Sequence, residues 1–298
     1  MDNPFSSKWL RASDLDGQRP HGGASYVAGA TGDALKFMTI SALLDRALLR
    51  QGGRDAAVFA ATGERLSWHD LKARSDAVAA GLLALGIGRG DRVGIWAPNC
   101  IEWILTQFGT ARIGAILVNI NPAYRTTELE YALNKVACRA LVMAPKFKAS
   151  DYTGMMKGLA PELGTSDAGA PLRLAKFPHL ERIVMIGRAD HPKGMLTFDE
   201  FARLAGPAHR GRLDGLSAAL DPDDPINIQF TSGTTGAPKG ATLSHFNIVN
   251  NARYSAKAMQ LSERDLLCIP VPLYHCFGMV LGVLACTATC STMVFPGE

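Results

Sequence analysis

Residues 92–143 read RVGIWAPNCIEWILTQFGTARIGAILVNINPAYRTTELEYALNKVACRALVM. The runs 92–96, 115–119 and 139–143 are short, rich in Val, Ile, Leu and Ala, and lack polar alternation, as expected of strands covered on both faces. Between them, 101–112 and 127–135 space their apolar residues as helices do. Strand and helix in alternation imply parallel strands joined by right-handed crossovers, so the expected fold class is α/β, with layered, mainly parallel sheets flanked by helices. Thr127 and Glu130 have the spacing of a capping box for the second helix.

Outward from this block, Ile40, Leu43, Leu44, Ala47 and Leu48 fall on one helical stripe. Residues 56–60, the Thr62-Gly63-Glu64 turn and a second run around Leu66 read as a small hairpin. Ser67 and Asp70 mark a helix start, and Gly86 its stop. The run Gly86-Ile87-Gly88-Arg89-Gly90 imitates a dinucleotide fingerprint, but it follows a helix and carries Asp91 near the third glycine's place, so a cap and turn explain it better. Residues 145–181 lose periodicity and are expected to be a loop or insertion. A strand over 182–186, a short helix over 196–204, a stiff acidic turn at 221–225, a helix over 247–259 and a strand over 266–271 follow.

The chemistry concentrates in 226–240, INIQFTSGTTGAPKG. Gly233, Gly236 and Gly240 allow close backbone approach to a ligand. Thr231, Ser232, Thr234 and Thr235 offer hydroxyl donors, Lys239 a mobile positive charge, and the peptide N–H groups an anion-binding concavity. Polyphosphate suits this set, although Gly, Ser and Thr also fill ordinary turns. A P-loop would need Gly before its Lys and Ser or Thr after it; Pro238 and Gly240 stand there instead. A second motif, Pro272-Leu273-Tyr274-His275-Cys276-Phe277-Gly278, sets an imidazole between aromatics just past a strand end, where α/β proteins place ligands.

Composition excludes several classes. The 298 residues, 47% hydrophobic, suffice for a large core in one or two domains. A net charge of +4 with no basic run of five or more gives a nucleic-acid or polybasic membrane role no footprint in the sequence. Six cysteines without a C-x-x-C pair read as buried free thiols in a reducing compartment. The start lacks an apolar signal core, so the default address is cytoplasmic. The apolar run 279–295 is interrupted by Thr287, Thr289, Ser291 and Thr292, and reads as a buried helix and strand, not a transmembrane segment. No G-x-S-x-G elbow and no H-E-x-x-H pair is present.

TSGTTGAPKG at 231–240 resembles the signature of the AMP-forming adenylating enzymes: acyl-CoA synthetases, luciferases and peptide-synthetase adenylation domains. PLYHCFG resembles that family's aromatic motif at the acid-substrate pocket. The stretch NPAYRTTELEYALNKVACRALV resembles acyl-CoA synthetases acting on medium or longer fatty acids. The resemblance implies a two-step ligase: a carboxylic (fatty) acid and ATP give an acyl-adenylate and pyrophosphate, and coenzyme A then displaces AMP. It implies Thr231, Ser232, Gly233, Thr234, Thr235, Gly236 and Lys239 at the phosphates, with Mg2+ bridging phosphate oxygens. It also implies His275 at the carboxylate, Phe277, Gly278 and Met279 near the acyl channel, and catalytic roles for Lys239 and His275. No residue is assigned to the metal. His245, Pro192-Lys193-Gly194 and Thr31-Gly32-Asp33 are set aside, the first as structural, the others as chance copies of family tripeptides.

The same resemblance implies an extension over 1–35 and a truncated AMP-binding domain over 36–298. Within it, 75–258 would form one subdomain, and 36–72 plus 259–298 would begin a second. The family's later adenine, ribose and hinge motifs and its C-terminal cap are not in the sequence, so a truncated fragment without full activity is expected, with a sheet edge open to self-association. A non-catalytic nucleotide- or partner-binding protein, and adenylation for another acceptor such as a carrier protein, are the alternatives.

Overall fold

The structure, a computed structural model, describes residues 33–187, 190–231 and 237–297. The chain divides into two units, 1–36 and 37–298, and the elements below belong to the second. It opens with α1 (Ile40–Gln51), capped by Thr39, whose hydroxyl accepts from Ala42 N–H. Ile40, Leu43, Leu44 and Ala47 are buried along one stripe, as their spacing requires, with Leu48 half-buried. The hairpin β1 (Asp55–Phe59) and β2 (Glu64–Ser67) leads into α2 (Trp68–Ala84), where Ser67 and Asp70 form the expected reciprocal cap. Gly86 then takes a φ of +79° and ends the helical path.

The deciding block follows as β3 (Arg92–Trp96), α3 (Ile101–Ile113), β4 (Ile116–Asn119), α4 (Thr126–Lys135) and β5 (Ala140–Met143). Every residue of β4 and β5 is buried, and so is all of α3 except Glu102, which explains the absence of alternation. Gly109 lets α3 lie against α2, because a Cβ there would come within 2.6 Å of Val78 Cγ1. The expected Thr127/Glu130 cap is not the one formed. The helix starts one residue earlier, and Glu128 accepts from Arg125 N–H at 3.1 Å.

Residues 145–181 are more ordered than expected. They form the hairpin β6 (Lys146–Phe147) and β7 (Ser150–Asp151), then α5 (Tyr152–Leu159), and bury Tyr152, Met156, Leu163, Leu174 and Phe177. Asp151 caps α5 through Gly154 N–H at 2.8 Å, but Gly154 and Gly158 in a short helix obscure its periodicity. Then come β8 (Arg182–Met185), β9 (Leu196–Thr197), α6 (Phe198–Arg203), α7 (Pro207–Arg210) and α8 (Leu213–Ala218). The last third carries β10 (Pro225–Thr231), β11 (Lys239–Ser244), α9 (His245–Ala258), β12 (Leu266–Cys268), a π-helical segment (Phe277–Leu284), α10 (Ala285–Thr289) and β13 (Thr292–Phe295). β12 is shorter than the run 266–271, since Pro270 has no N–H for a ladder.

Two main sheets result. A seven-stranded sheet runs β11-β10-β4-β3-β5-β8-β9, parallel except for β11 against β10, and a four-stranded sheet runs β12-β13-β1-β2, with only β2 antiparallel. Among the described residues no helix is long and apolar enough to cross a membrane.

Candidate active site at the strand ends

The glycine-rich stretch joins β10 to β11 as an antiparallel hairpin, in which Thr231 pairs with Lys239 and Phe230 with Gly240. β11 has little sequence signal of its own: KGATLS carries only two larger apolar positions, Ala241 and Leu243, and none of its residues is buried. Pro238, just before Lys239, is tied from outside the hairpin by Tyr131 of α4, whose phenol donates to the Pro238 carbonyl at 3.0 Å. Ser232, Gly233, Thr234, Thr235 and Gly236 lie outside the described residues. Thr231 and Lys239 are exposed at the two stems.

The second motif is fixed by asparagines at the ends of two strands. Asn99, beyond β3, donates to the Val271 carbonyl at 2.9 Å and accepts from Leu273 N–H at 2.8 Å, so its amide substitutes for a neighbouring strand. Asn119 closes β4 and donates to the Tyr274 carbonyl at 2.9 Å. Its own oxygen accepts from Asn227 of β10 at 2.9 Å, and Asn227 also donates to the Leu117 carbonyl. A buried chain of amides therefore runs from the strand that carries the glycine loop to the backbone beside His275.

At His275, Nδ1 accepts from Phe277 N–H at 3.1 Å, and the Cys276 sulfur lies 3.7 Å from the same atom. In a neutral ring this acceptor role puts the proton on Nε2, the nitrogen left to meet a ligand. Gly278 is dictated by packing: a Cβ would sit 2.5 Å from the Pro272 carbonyl oxygen. Met279 is buried, its sulfur 3.5 Å from Asn119 Nδ2, and Phe277 is exposed.

These two segments face one cleft of about 510 Å³ lined by Asn119, Tyr124, Gln229, Thr231, Tyr274 and His275 among others. Thr231 and His275 are thus brought together, while Lys239, Phe277, Gly278 and Met279 are not among the lining residues. Gln229 Nε2 is buried and donates to no acceptor among the described residues. Burial pushes the Tyr124 phenol above its usual range, with Glu128 adding to the shift. Asn99, Asn119, Gln229 and Tyr131 were not among the sequence candidates; the partners of Asn99, Asn119 and Tyr131 lie up to 174 residues away, so no local pattern could have announced them.

His245 is structural. Its Nδ1 accepts from Ile40 N–H at 3.0 Å, and burial lowers its pKa to about 4 despite the nearby Asp224 carboxylate. The acids of 221–225 form a turn in which Asp224 pairs with Arg89 at 2.7 Å, and among the described residues no His, Cys, Asp or Glu cluster could hold a metal ion. The six thiols are free but not uniformly buried: Cys268 is exposed and Cys100 and Cys276 are half-buried, while burial pushes Cys138 and Cys286 up to about 12.

The profile of a family described as AMP-binding enzyme matches residues 44–298. The mitochondrial medium-chain acyl-CoA ligase of Danio rerio is 42% identical over 274 residues, spanning 91% of this chain and 45% of its own length. Its Homo sapiens counterpart is 42% identical over 283 residues, spanning 92% and 45%. A protein of Bacillus subtilis named putative acyl-CoA synthetase is 40% identical over 256 residues, spanning 86% and 46%. The chain therefore spans less than half the length of these relatives. Among solved structures, an anthranilate CoA ligase in complex with anthranoyl-AMP superposes with a TM-score of 0.73 at 23% identity, covering 91% of this chain and 47% of its own. A long-chain-fatty-acid-CoA ligase from Archaeoglobus fulgidus gives 0.71 at 23% identity, covering 91% and 49%. At that identity the two structures speak for the fold alone.

Proposed function

The chain belongs to the AMP-binding enzyme family, and from that premise we propose that it is the N-terminal portion of a fatty acid–CoA ligase that forms an acyl-adenylate from ATP and a carboxylic acid and passes the acyl group to coenzyme A. The observation that carries this reading is the shared cleft. Thr231, at one stem of the glycine-rich hairpin, and His275 line the same space, with Pro238 completing the hairpin's other stem.

On this reading the carboxylate oxygen attacks the α-phosphorus of ATP, the bond to the bridging oxygen breaks, and pyrophosphate leaves with that electron pair. The hairpin's hydroxyls and peptide N–H groups, with Lys239, hold the departing phosphates, an electrostatic and positional contribution. His275, with its proton on Nε2, donates toward the carboxylate and adenylate oxygens. Gln229 Nε2 is a further donor that a ligand oxygen would satisfy. Mg2+ would enter as the counter-ion of the nucleotide, held by phosphate oxygens, and none of the described residues is assigned to it. Phe277, Gly278 and Met279 are proposed at the acyl side, Gly278 and Met279 through packing and Phe277 through its exposed ring.

The proposed organisation is an extension over 1–35 and an AMP-binding domain over 36–298, subdivided into 75–258 and into 36–72 plus 259–298. Self-association through the outer edge of the four-stranded sheet and a cytoplasmic address complete the proposal, the latter in keeping with unpaired cysteines, while the Danio rerio and Homo sapiens relatives above are named mitochondrial.

Carboxylate-dependent exchange of pyrophosphate into ATP tests the reading. Exchange with medium-chain acids, reduced on the order of a hundredfold in Lys239→Ala, supports it. ATP binding without exchange would make the chain a nucleotide-binding module instead. Transfer to a carrier-protein thiol in preference to coenzyme A would change the acceptor and leave the adenylation step standing.

A further inference from the structure

Although the sequence has no long basic run, the fold gathers arginines from two distant stretches onto one face. Arg46 and Arg50 stand a turn apart on α1, Arg54 follows that helix, and Arg264 precedes β12. Arg54, Arg264 and Leu266 line one shallow depression of about 370 Å³ with Thr292, the residue paired in register with Leu266. Cys290, two residues before Thr292, feels the charges of Arg50, Arg46 and Arg54, and α1 itself packs against α10, the helix that ends at Thr289.

Two properties mark this face. Many arginines are engaged, among them Arg65 with Asp55, Arg74 with Glu64, Arg89 with Asp224, and Arg139 with Asp91 and Glu181. The side chains of Arg46, Arg50, Arg54 and Arg264 have no acidic or hydrogen-bonding partner among the described residues. Beside these arginines in sequence, Leu49 is 87% exposed and Leu266 is 68% exposed, two of the most exposed large apolar side chains among the described residues. Of the nearby acids, Asp55 is taken by Arg65 and Asp265 by the Ser262 turn, which leaves Glu263 as the opposing charge.

We propose that this face docks on an anionic phospholipid surface, with Arg46, Arg50, Arg54 and Arg264 on headgroup phosphates and Leu49 and Leu266 entering the acyl boundary. Guanidinium groups meet phosphate oxygens in bidentate fashion, and each basic residue close to an anionic leaflet raises affinity by about fivefold. The leucines favour a membrane over a nucleic acid, because a polyanion in water would satisfy the arginines and leave both apolar side chains solvated. The surface is independent of the ligase chemistry and would serve to hold the protein where fatty acids partition.

Sedimentation of the full chain with extruded vesicles of phosphatidylcholine, with and without phosphatidylglycerol, tests this. Binding should be about tenfold or more stronger to the anionic vesicles and weaken with added salt. Arg50→Glu with Arg54→Glu should abolish the difference, and Leu49→Ser should weaken binding about tenfold or more at unchanged salt dependence, roughly the loss of one buried side chain. Circular dichroism and thermal midpoint should stay unchanged, and Arg50→Gln and Arg264→Gln provide milder variants should the charge reversal disturb folding. Equal binding to neutral and anionic vesicles, or undiminished binding by the folded arginine variants, would overturn the proposal. So would duplex DNA binding insensitive to Leu49→Ser, or a dimer that the same substitutions dissolve, when either occurs without vesicle binding.

Discussion

The two walls of the cleft are attached to the fold by different means. The backbone of 271–274 is held by Asn99 and Asn119, side chains from the ends of two neighbouring strands, with Asn227 completing a buried amide chain behind them. Among the described residues, the stems of the glycine-rich hairpin are held by the Thr231–Lys239 pairing and by a bond from Tyr131 to Pro238. Its far flank is secured one element later, where His245 opens α9 and accepts from Ile40 N–H. Buried amide bonds cost more to break than exposed ones, because a group left unpaired in the interior loses its partner without regaining water. The aromatic wall is therefore built for fixed geometry, and substitutions there should register as lost stability. Substitutions at the hairpin stem should register as altered phosphate handling in a protein of nearly unchanged stability.

The flank at His245 gives the largest expected effect and depends on pH. Its folded pKa of about 4 lies below the ordinary value of 6.5, so between those limits the unfolded chain binds a proton that the folded chain excludes. Stability is unaffected above pH 6.5, falls as pH drops through the window, and levels off below 4, by a total of about 3 kcal/mol at 1.36 kcal/mol per unit. Urea midpoints measured across this range should show the loss. His245→Gln, which retains an acceptor and cannot titrate, should flatten that part of the profile; an unchanged slope would mean that other groups carry it.

On the aromatic wall, Gly278→Ala should cost about 2 to 3 kcal/mol, since the added Cβ meets a backbone carbonyl that cannot rotate away. Asn119→Ala should cost about 2 kcal/mol by stranding the Tyr274 carbonyl and one bond of Asn227. Both are read from denaturant midpoints. If Asn119→Ala instead left stability intact and changed only exchange kinetics, the contrast between the two walls would collapse.

Much of this architecture was legible beforehand, for reasons that also explain the gaps. The 92–143 block could be read because parallel strands buried on both faces and a helix buried nearly all round leave continuous apolar runs. β11 could not, because it is an exposed edge strand whose register comes from its pairing with β10. Residues 145–181 bury their apolar side chains at irregular intervals, so no period marks them. At the site, the loop chemistry and His275 stand in contiguous motifs, whereas Asn119 meets Tyr274 across 155 residues and Tyr131 meets Pro238 across 107. Local sequence displays the groups that would touch a ligand and leaves out those that hold them in place.

Tyr131 offers the finest test of the comparison. Tyr131→Phe removes one partly buried neutral hydrogen bond and retains the ring, so its stability cost should be about 1 kcal/mol or less. The Pro238 carbonyl it releases belongs to the residue before Lys239, so the consequence should appear where Lys239 acts. The expected signature is a rise of several-fold in the KM for ATP in pyrophosphate exchange, on the order of the same 1 kcal/mol, with the KM for the carboxylic acid unchanged. Tyr131→His, which can still donate from the ring, should recover part of the loss. Equal effects on both substrates would indicate that Tyr131 supports the cleft as a whole, and that the hairpin stem and the aromatic wall are one mechanical unit.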